Sequence, residues 1–211
     1  MALFFLLPSL HSCSNPGRVG REFSPERVGR RVIENLLARP DLMIYSTPEA
    51  HGIHYAEVCA GFGAVQLAGA LKDTALLERL AQRYDVERTG TIPNSANHVD
   101  VNVYGILPLE LYRAGMGEAF REQGLRYADG QWKDPLPDGT TRQARYWIDD
   151  IWMFSSLQVQ AYRVTGNPEY LHRTAKVVTA YLEKLQQPNG LFYHGPEGPF
   201  FWGRGNGWVA S

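Results

Sequence analysis

Three times along the chain, a nearly continuous apolar segment of helical length meets a tight turn and is followed by a segment with one apolar and one polar face. The first pair is His54 to Leu71 and Ala75 to Tyr84, joined by Lys72-Asp73. The second is Val101 to Tyr112 and Glu118 to Ala128, joined by Ala114-Gly115-Met116-Gly117. The third is Trp147 to Val164 and Glu169 to Gln186, joined by Thr165-Gly166-Asn167-Pro168. A helix that is apolar all round must be buried, and one with a single apolar stripe lies outside it. The joints recur roughly 40 to 50 residues apart, the scale of a helical-hairpin repeat. An earlier helix begins at Ser24-Pro25-Glu26, where Ser24 can cap and Pro25 suits the first position. Val28, Val32, Ile33, Leu36 and Leu37 then recur at helical spacing, and Pro40 stops the run.

Stacked hairpins of this kind make either an open solenoid or a closed double ring, and the connections decide between them. Long polar segments, Glu87 to His98, Gly130 to Arg145 and Asn189 to Arg204, lead from each outer helix to the next inner one. Long loops inside a compact domain are usually functional. All of them emerge at the same end of the inner row, which is the layout of an all-α toroid with its site in the funnel at that end. No strand-rich stretch competes, although Gly190-Leu191-Phe192-Tyr193-His194 could add a small β-ribbon.

Composition narrows the function classes. A net charge of −1 over 211 residues offers no basic field for nucleic acid. Five Trp and 11 Tyr permit the aromatic faces on which sugar rings stack. Cys13 and Cys59 form neither a disulfide framework nor a metal-ligand spacing, and Cys59 reads as a small core residue. The apolar run in Met1 to Leu10 is too short to span a bilayer but suits a secretory leader. It is followed by Leu10-His11-Ser12-Cys13-Ser14, which resembles a bacterial lipoprotein processing box. The expectation is a leader and linker over residues 1–23 and a catalytic domain over 24–211. Cys13 would be lipidated and attach the protein to the membrane, in the periplasm or on the outer membrane. A frayed apolar tail on a cytoplasmic protein is the alternative.

Polar residues interrupt or lead the apolar helices at a few places: Glu57, Asp100, and the pair Asp149-Asp150 within Trp147-Ile148-Asp149-Asp150-Ile151-Trp152-Met153. A carboxylate on a buried helix is costly unless paired, hydrogen-bonded or protonated. Burial raises its pKa, which suits a general acid. Taken alone, Asp149 or Asp100 is explained as a first-turn residue stabilised by the helix dipole. Two adjacent aspartates among Trp, Ile and Met fit that explanation less well. A second cluster is Phe200-Phe201-Trp202-Gly203-Arg204-Gly205-Asn206-Gly207-Trp208. Its glycines allow close backbone approach, and Arg204 can grip a carboxylate with two nitrogens. A Gly-rich turn with two core Trp accounts for the glycines but not for an Arg between the indoles.

The runs Trp147 to Met153, Gly190 to Gly195 and Trp202 to Trp208, in that order and at those spacings, resemble the signature set of glycoside hydrolase family 105, the unsaturated rhamnogalacturonyl hydrolases, similar to the glucuronyl hydrolases of family 88. Asp100 to Tyr112 is similar to the family's other aspartate-bearing inner helix. The resemblance covers Asp100 to Ser211 and implies an (α/α)6 toroid. Such a ring needs six helical pairs, and this chain supplies about three and a half at ordinary helix lengths. The expectation is an incomplete N-terminal part of the barrel, insoluble, oligomeric or inactive at 211 residues.

The implied activity is removal of a 4,5-unsaturated uronic acid from the non-reducing end of pectin-derived, rhamnogalacturonan oligosaccharides. The resemblance makes Asp149 the proton donor and base, and Asp100 the aspartate that orients water or a sugar hydroxyl. It places His194, Trp202, Arg204, Trp208 and Met153 in the substrate pocket. It implies no metal and no cofactor. Tyr55 and Glu57 are weaker inner-helix candidates. The alternatives are a related toroid enzyme, such as a glucuronyl hydrolase or a sugar epimerase, and a non-catalytic helical scaffold.

Overall fold

The computed structural model describes residues 23–85, 88–90, 92 and 98–211. The leader-like segment with Cys13 lies outside the described residues, as does much of the connection from Glu87 to His98. The architecture is all-α. Helix α1 (Pro25–Leu37) is followed by strands β1 (Ile44–Ser46) and β2 (His51–Ile53), then α2 (Tyr55–Ala70) and α3 (Thr74–Tyr84). Next come α4 (Val99–Asn102), a 3-10 turn (Val103–Gly105), α5 (Ile106–Arg113) and α6 (Glu118–Gly130). Helices α7 (Ile148–Thr165) and α8 (Glu169–Leu185), strands β3 (Tyr193–Gly195) and β4 (Gly198–Phe201), and α9 (Gly203–Ala210) complete the order.

The inner row runs α2, α5, α7, α9, each packed on the next. The outer helices α3, α6 and α8 each lie against the inner helix that precedes them, and α1 packs on α2 and α3. The result is an arc of a two-layer ring, in which each outer helix hands the chain to the next inner helix at one common end. The first α1 turn forms as its residues dictate: Ser24 caps by accepting from the Arg27 amide at 3.3 Å, and Pro25 fills N1. Gly166 ends α7 in the left-handed conformation, at φ 69°. Histidines begin two inner segments, with His54 Nδ1 accepting from Ala56 N at 3.1 Å and His98 Nδ1 from Asp100 N at 3.2 Å.

Four features differ from expectation. The segment from Val101 to Tyr112 is not one helix but α4, a 3-10 turn and α5. Pro108 lacks the amide that would bond the Tyr104 carbonyl, and its ring crowds that oxygen, so the turn before it tightens. A two-stranded ribbon, β1 with β2, precedes α2 in antiparallel register Ile44 to Ile53; short strands between helices leave little periodicity to detect. Cys59 is half-buried rather than core. It sits on the side of α2 that, with Phe62, Trp152, Val159 and Trp208, lines an apolar groove of about 580 Å³. Glu57, by contrast, belongs to the frame. It is 5% exposed, accepts from Arg83 Nη2 and Tyr84 Oη, each at 3.0 Å, and so ties α2 to α3. Burial, with the Glu57 charge, pushes the Tyr84 hydroxyl pKa well up.

The α5–α6 contact depends on two glycines. A Cβ at Gly124 would lie 2.4 Å from Leu109 Cγ and 2.9 Å from the Gly105 carbonyl oxygen, and one at Gly105 would lie 2.6 Å from Tyr127 Cβ. Gly124→Ala gains about 1 kcal/mol of helix propensity. The backbone oxygen cannot rotate away, and overpacking costs about 1–3 kcal/mol. The expected result is a lower melting temperature. Gly63→Ala, where a Cβ would meet nothing within 4 Å, should raise it. Thermal unfolding of both variants checks the pair; a stabilised Gly124→Ala would contradict the close packing.

Candidate functional site

Where the inner helices begin, the chain brings together carboxylates, cations and indoles. Asp100 stands in α4 and Asp149 and Asp150 in the first turn of α7. His194 comes from β3, Trp202 caps α9, and Arg204 follows in its first turn. Arg145, just ahead of α7, bridges Asp100 and Asp150. Its Nη1 donates to Asp100 Oδ2 at 2.7 Å, its Nη2 to Asp150 Oδ1 at 2.5 Å, and its Nε to Asp150 Oδ1 at 3.2 Å. Its own amide donates to Asp150 Oδ2 at 3.1 Å, and so does the Tyr181 hydroxyl at 2.9 Å. Asp150, 0% exposed, is therefore a fully engaged carboxylate. Burial still pushes its pKa up, against the pull of Arg145 and Tyr181. Burial alone would lower Arg145, but the two carboxylates outweigh it and hold the guanidinium pKa above its ordinary value.

Asp149 is placed differently. Its Oδ1 is buried and has no hydrogen-bond partner. Loss of hydration raises its pKa and the Asp150 charge adds to this, while His194 and Arg204 pull it down. The helix N-terminus also favours the anion, by about 0.3–1 kcal/mol. An unsatisfied buried oxygen costs about 1–3 kcal/mol, which is larger. The outcome is a carboxyl biased toward its protonated form beside two aspartates that Arg145 binds. Of the carboxyl groups gathered here, Asp149 is the one with a buried oxygen that no donor engages.

Around it stands an aromatic wall. The His194 ring lies 5.7 Å from that of Trp147, 5.3 Å edge-on from Trp202 and 5.3 Å from Phe200. Its Nδ1 is buried without a partner. The Arg204 guanidinium lies 4.3 Å over the Trp202 ring and is solvent-exposed, an arrangement suited to gripping an anionic group at an aromatic face. Opposite, Tyr45 stacks on His98 at 5.8 Å. Burial lowers the His98 pKa, although Asp100 opposes it. His98 is then neutral, with Nδ1 accepting from the Asp100 amide. Its 3.5 Å approach to Asp100 Oδ2 is consequently not an ion pair.

The sequence-derived residues divide. Asp100, Asp149, His194, Trp202 and Arg204 share this end of the arc. Met153 lies one turn further along α7 and is buried at 3% exposure. Trp208 packs on Trp152 at 4.6 Å, edge-on to Tyr55 at 6.4 Å, and lines the apolar groove. Tyr55 also packs beside His54, at 4.2 Å. Arg145 escaped the sequence reading, which treated it as the end of a loop. Its signal was present: an arginine five residues before an aspartate inside an apolar helix.

Comparison with known proteins gives a family. The model described as Glycosyl Hydrolase Family 88 matches residues 30–211. No curated protein matches. Among solved structures, a protein described as polysaccharide lyase BACCELL_00875 superposes with a TM-score of 0.62 at 16% identity, over 88% of this chain and 58% of that one. The Lin0763 protein from Listeria innocua superposes with a TM-score of 0.53 at 16% identity, over 67% of this chain and 49% of that one. At such identity these two show the fold alone, and this chain spans about half to three-fifths of their lengths.

Proposed function

The chain belongs to glycosyl hydrolase family 88, and from that premise we propose that it removes a 4,5-unsaturated uronic acid from the non-reducing end of pectin-derived oligosaccharides of the rhamnogalacturonan type. The observation that carries the proposal is the unpartnered Asp149 carboxyl beside Asp100, His194 and Arg204. Asp149 gives its proton to C4 of the enol ether. Water, oriented by Asp100, adds its oxygen to C5 and returns a proton to Asp149. The hemiketal so formed opens at its ring oxygen, and the hemiacetal this leaves at C1 expels the neighbouring sugar. One water is consumed and the aspartate is regenerated. Arg204, over Trp202, takes the uronate carboxylate by charge and planarity. The two-carboxylate displacement at the anomeric carbon does not apply here, so the distance between carboxylates predicts nothing about stereochemistry.

The family match itself favours a second reading, an unsaturated glucuronyl hydrolase. Incubation with unsaturated disaccharides carrying a galacturonyl-derived or a glucuronyl-derived end separates the two. The expected result is loss of the enol-ether absorbance with rhamnose as the leaving sugar. Turnover confined to glucuronyl substrates would move the assignment to the second reading. No turnover of any unsaturated disaccharide would overturn both.

A further inference from the structure

The proposed reaction gives tasks to Trp202 and Arg204 but none to Asn206, which follows Arg204 by two residues in α9. Its side chain nevertheless bonds three backbone groups. Asn206 Oδ1 accepts from Phe192 N at 2.8 Å, and Nδ2 donates to Phe192 O at 3.0 Å and to Trp202 O at 3.1 Å. One oxygen meets an amide and one nitrogen meets two carbonyls, a set of bonds that calls for a carboxamide. An aspartate would keep the acceptor and lose the donors.

Phe192 needs that partner. It faces Gln186, just past α8, across an isolated antiparallel bridge. The bridge is bonded through a flanking residue, with Gln187 N donating to Leu191 O at 2.8 Å. In such a pairing the N–H and C=O of the bridged residue point to the other side. There β4 has already ended at Phe201 and the chain has turned into α9, so the Asn206 amide stands where the next ladder bonds would be. The clamp joins two parts of the aromatic wall. Phe192 is buried, and His194 follows it by two residues in β3. Trp202 and Arg204 lie in the turn of α9 that Asn206 bonds back to. Gly205 seats the same turn against the residue before Asp149: a Cβ there would lie 2.4 Å from Ile148 Cγ2 and 2.9 Å from Trp202 Cε3. Asn206 thus sets His194 against Trp202 and Arg204, and Gly205 sets that turn against the start of α7.

We propose that Asn206 is a positioning residue for the substrate pocket: through the Phe192 backbone it holds the His194 ribbon against the Trp202–Arg204 turn, so that imidazole and guanidinium meet one sugar together. The inference rests on the hydrolase reading and adds to it a residue that acts without touching substrate.

Two neutral variants test it. Asn206→Ala removes the carboxamide, and Asn206→Leu removes its bonds while keeping its volume. With an unsaturated disaccharide, KM should rise about tenfold in both, since small displacements of binding groups cost up to about a hundredfold. The change should fall on KM, with kcat within about threefold, because binding shared by substrate and transition state is what is lost. Gly124→Ala, destabilising but remote from the site, should leave KM unchanged. A KM untouched in both variants, a loss confined to kcat, or an equal rise in Gly124→Ala overturns the proposal. The NMR signals of the His194 ring protons, assigned with His194→Gln, give a reading independent of turnover. They sense the Trp147 and Trp202 rings at 5.7 and 5.3 Å and should move in both variants but not in Gly124→Ala. If the unaltered protein turns over no unsaturated disaccharide, the hydrolase reading fails by itself and these signals decide: moved, they support the clamp, and unmoved, they overturn it. If neither variant folds, Asn206 belongs to the frame and the proposal is overturned.

Discussion

Asp149→Asn should lower kcat for release of the unsaturated sugar by about a thousandfold or more while leaving the fold intact. Loss of a positioned general acid alone removes about 10²–10⁴ in rate, and in the proposed mechanism the same group also accepts the proton back from water. The stability effect has the opposite sign. The folded-state pKa of Asp149 is raised by burial and by Asp150. The native state therefore holds a proton that the unfolded chain has already released, and stability falls as pH rises above the ordinary carboxylate value of 3.8. At neutral pH an asparagine removes that penalty, so the variant should melt at the same temperature or higher. In the unaltered protein, turnover by the proposed mechanism should decline as pH rises through the elevated Asp149 pKa. Near-normal turnover by the variant would remove Asp149 as the acid, and a collapsed melting temperature would make it part of the frame instead.

Arg145→Met is expected to destabilise the protein by about 3–5 kcal/mol, the usual cost of stripping the partner from a buried charge. Asp150 has no exposure to water and Asp100 has 6%, so neither can replace the guanidinium with solvent. Arg145→Lys should fall between, because one ammonium cannot reproduce a fork that engages both carboxylates. The deficit should also depend on pH. Without the guanidinium the burial of Asp150 is opposed by Tyr181 and the Arg145 backbone amide alone. The native state then prefers the proton more strongly, and the loss grows as pH rises past 3.8. Adding Asp150→Asn to Arg145→Met should recover part of it, since the charge that suffers is gone. Urea unfolding of the single and double variants measures these differences. A single-variant cost below about 1 kcal/mol, typical of an exposed pair, would show that the cluster is open to water.

The ring layout was legible because burial and periodicity are linked. Segments apolar on all sides, such as Trp147 to Val164, had to lie inside, and the two-faced partners had to lie outside. Turn chemistry at Gly166 and the Ser24-Pro25 start fixed boundaries to within a residue or two. The break at Pro108 could also be read locally, but a long apolar run outweighed one proline. Strands β1 and β2 were invisible at three residues each, too short for alternation to register. At the candidate site, single residues set against their helix, Asp100 and Asp149, stood out. What the sequence concealed was the pairing among them. Asp149 and Asp150 look alike in a string of letters, yet about 100° of helical rotation between them gives one four donors and leaves an oxygen of the other none. That Arg145 reaches back across to Asp100, 45 residues away, is a property of tertiary contact and of no local pattern.

The histidines that open two inner segments tie the working range of the protein to its architecture. Each starts its helix through a lone pair on Nδ1, and that lone pair disappears when the ring takes up a second proton. Burial lowers both imidazole pKa values below the ordinary 6.5, so the folded chain resists the change that an unfolded chain accepts freely. Acidification below 6.5 thus erodes the scaffold at the same mouth where proton delivery becomes easier. The proposed mechanism thus asks two opposite things of one mouth, a loaded carboxyl and bare imidazoles, and acid favours the first while undoing the second.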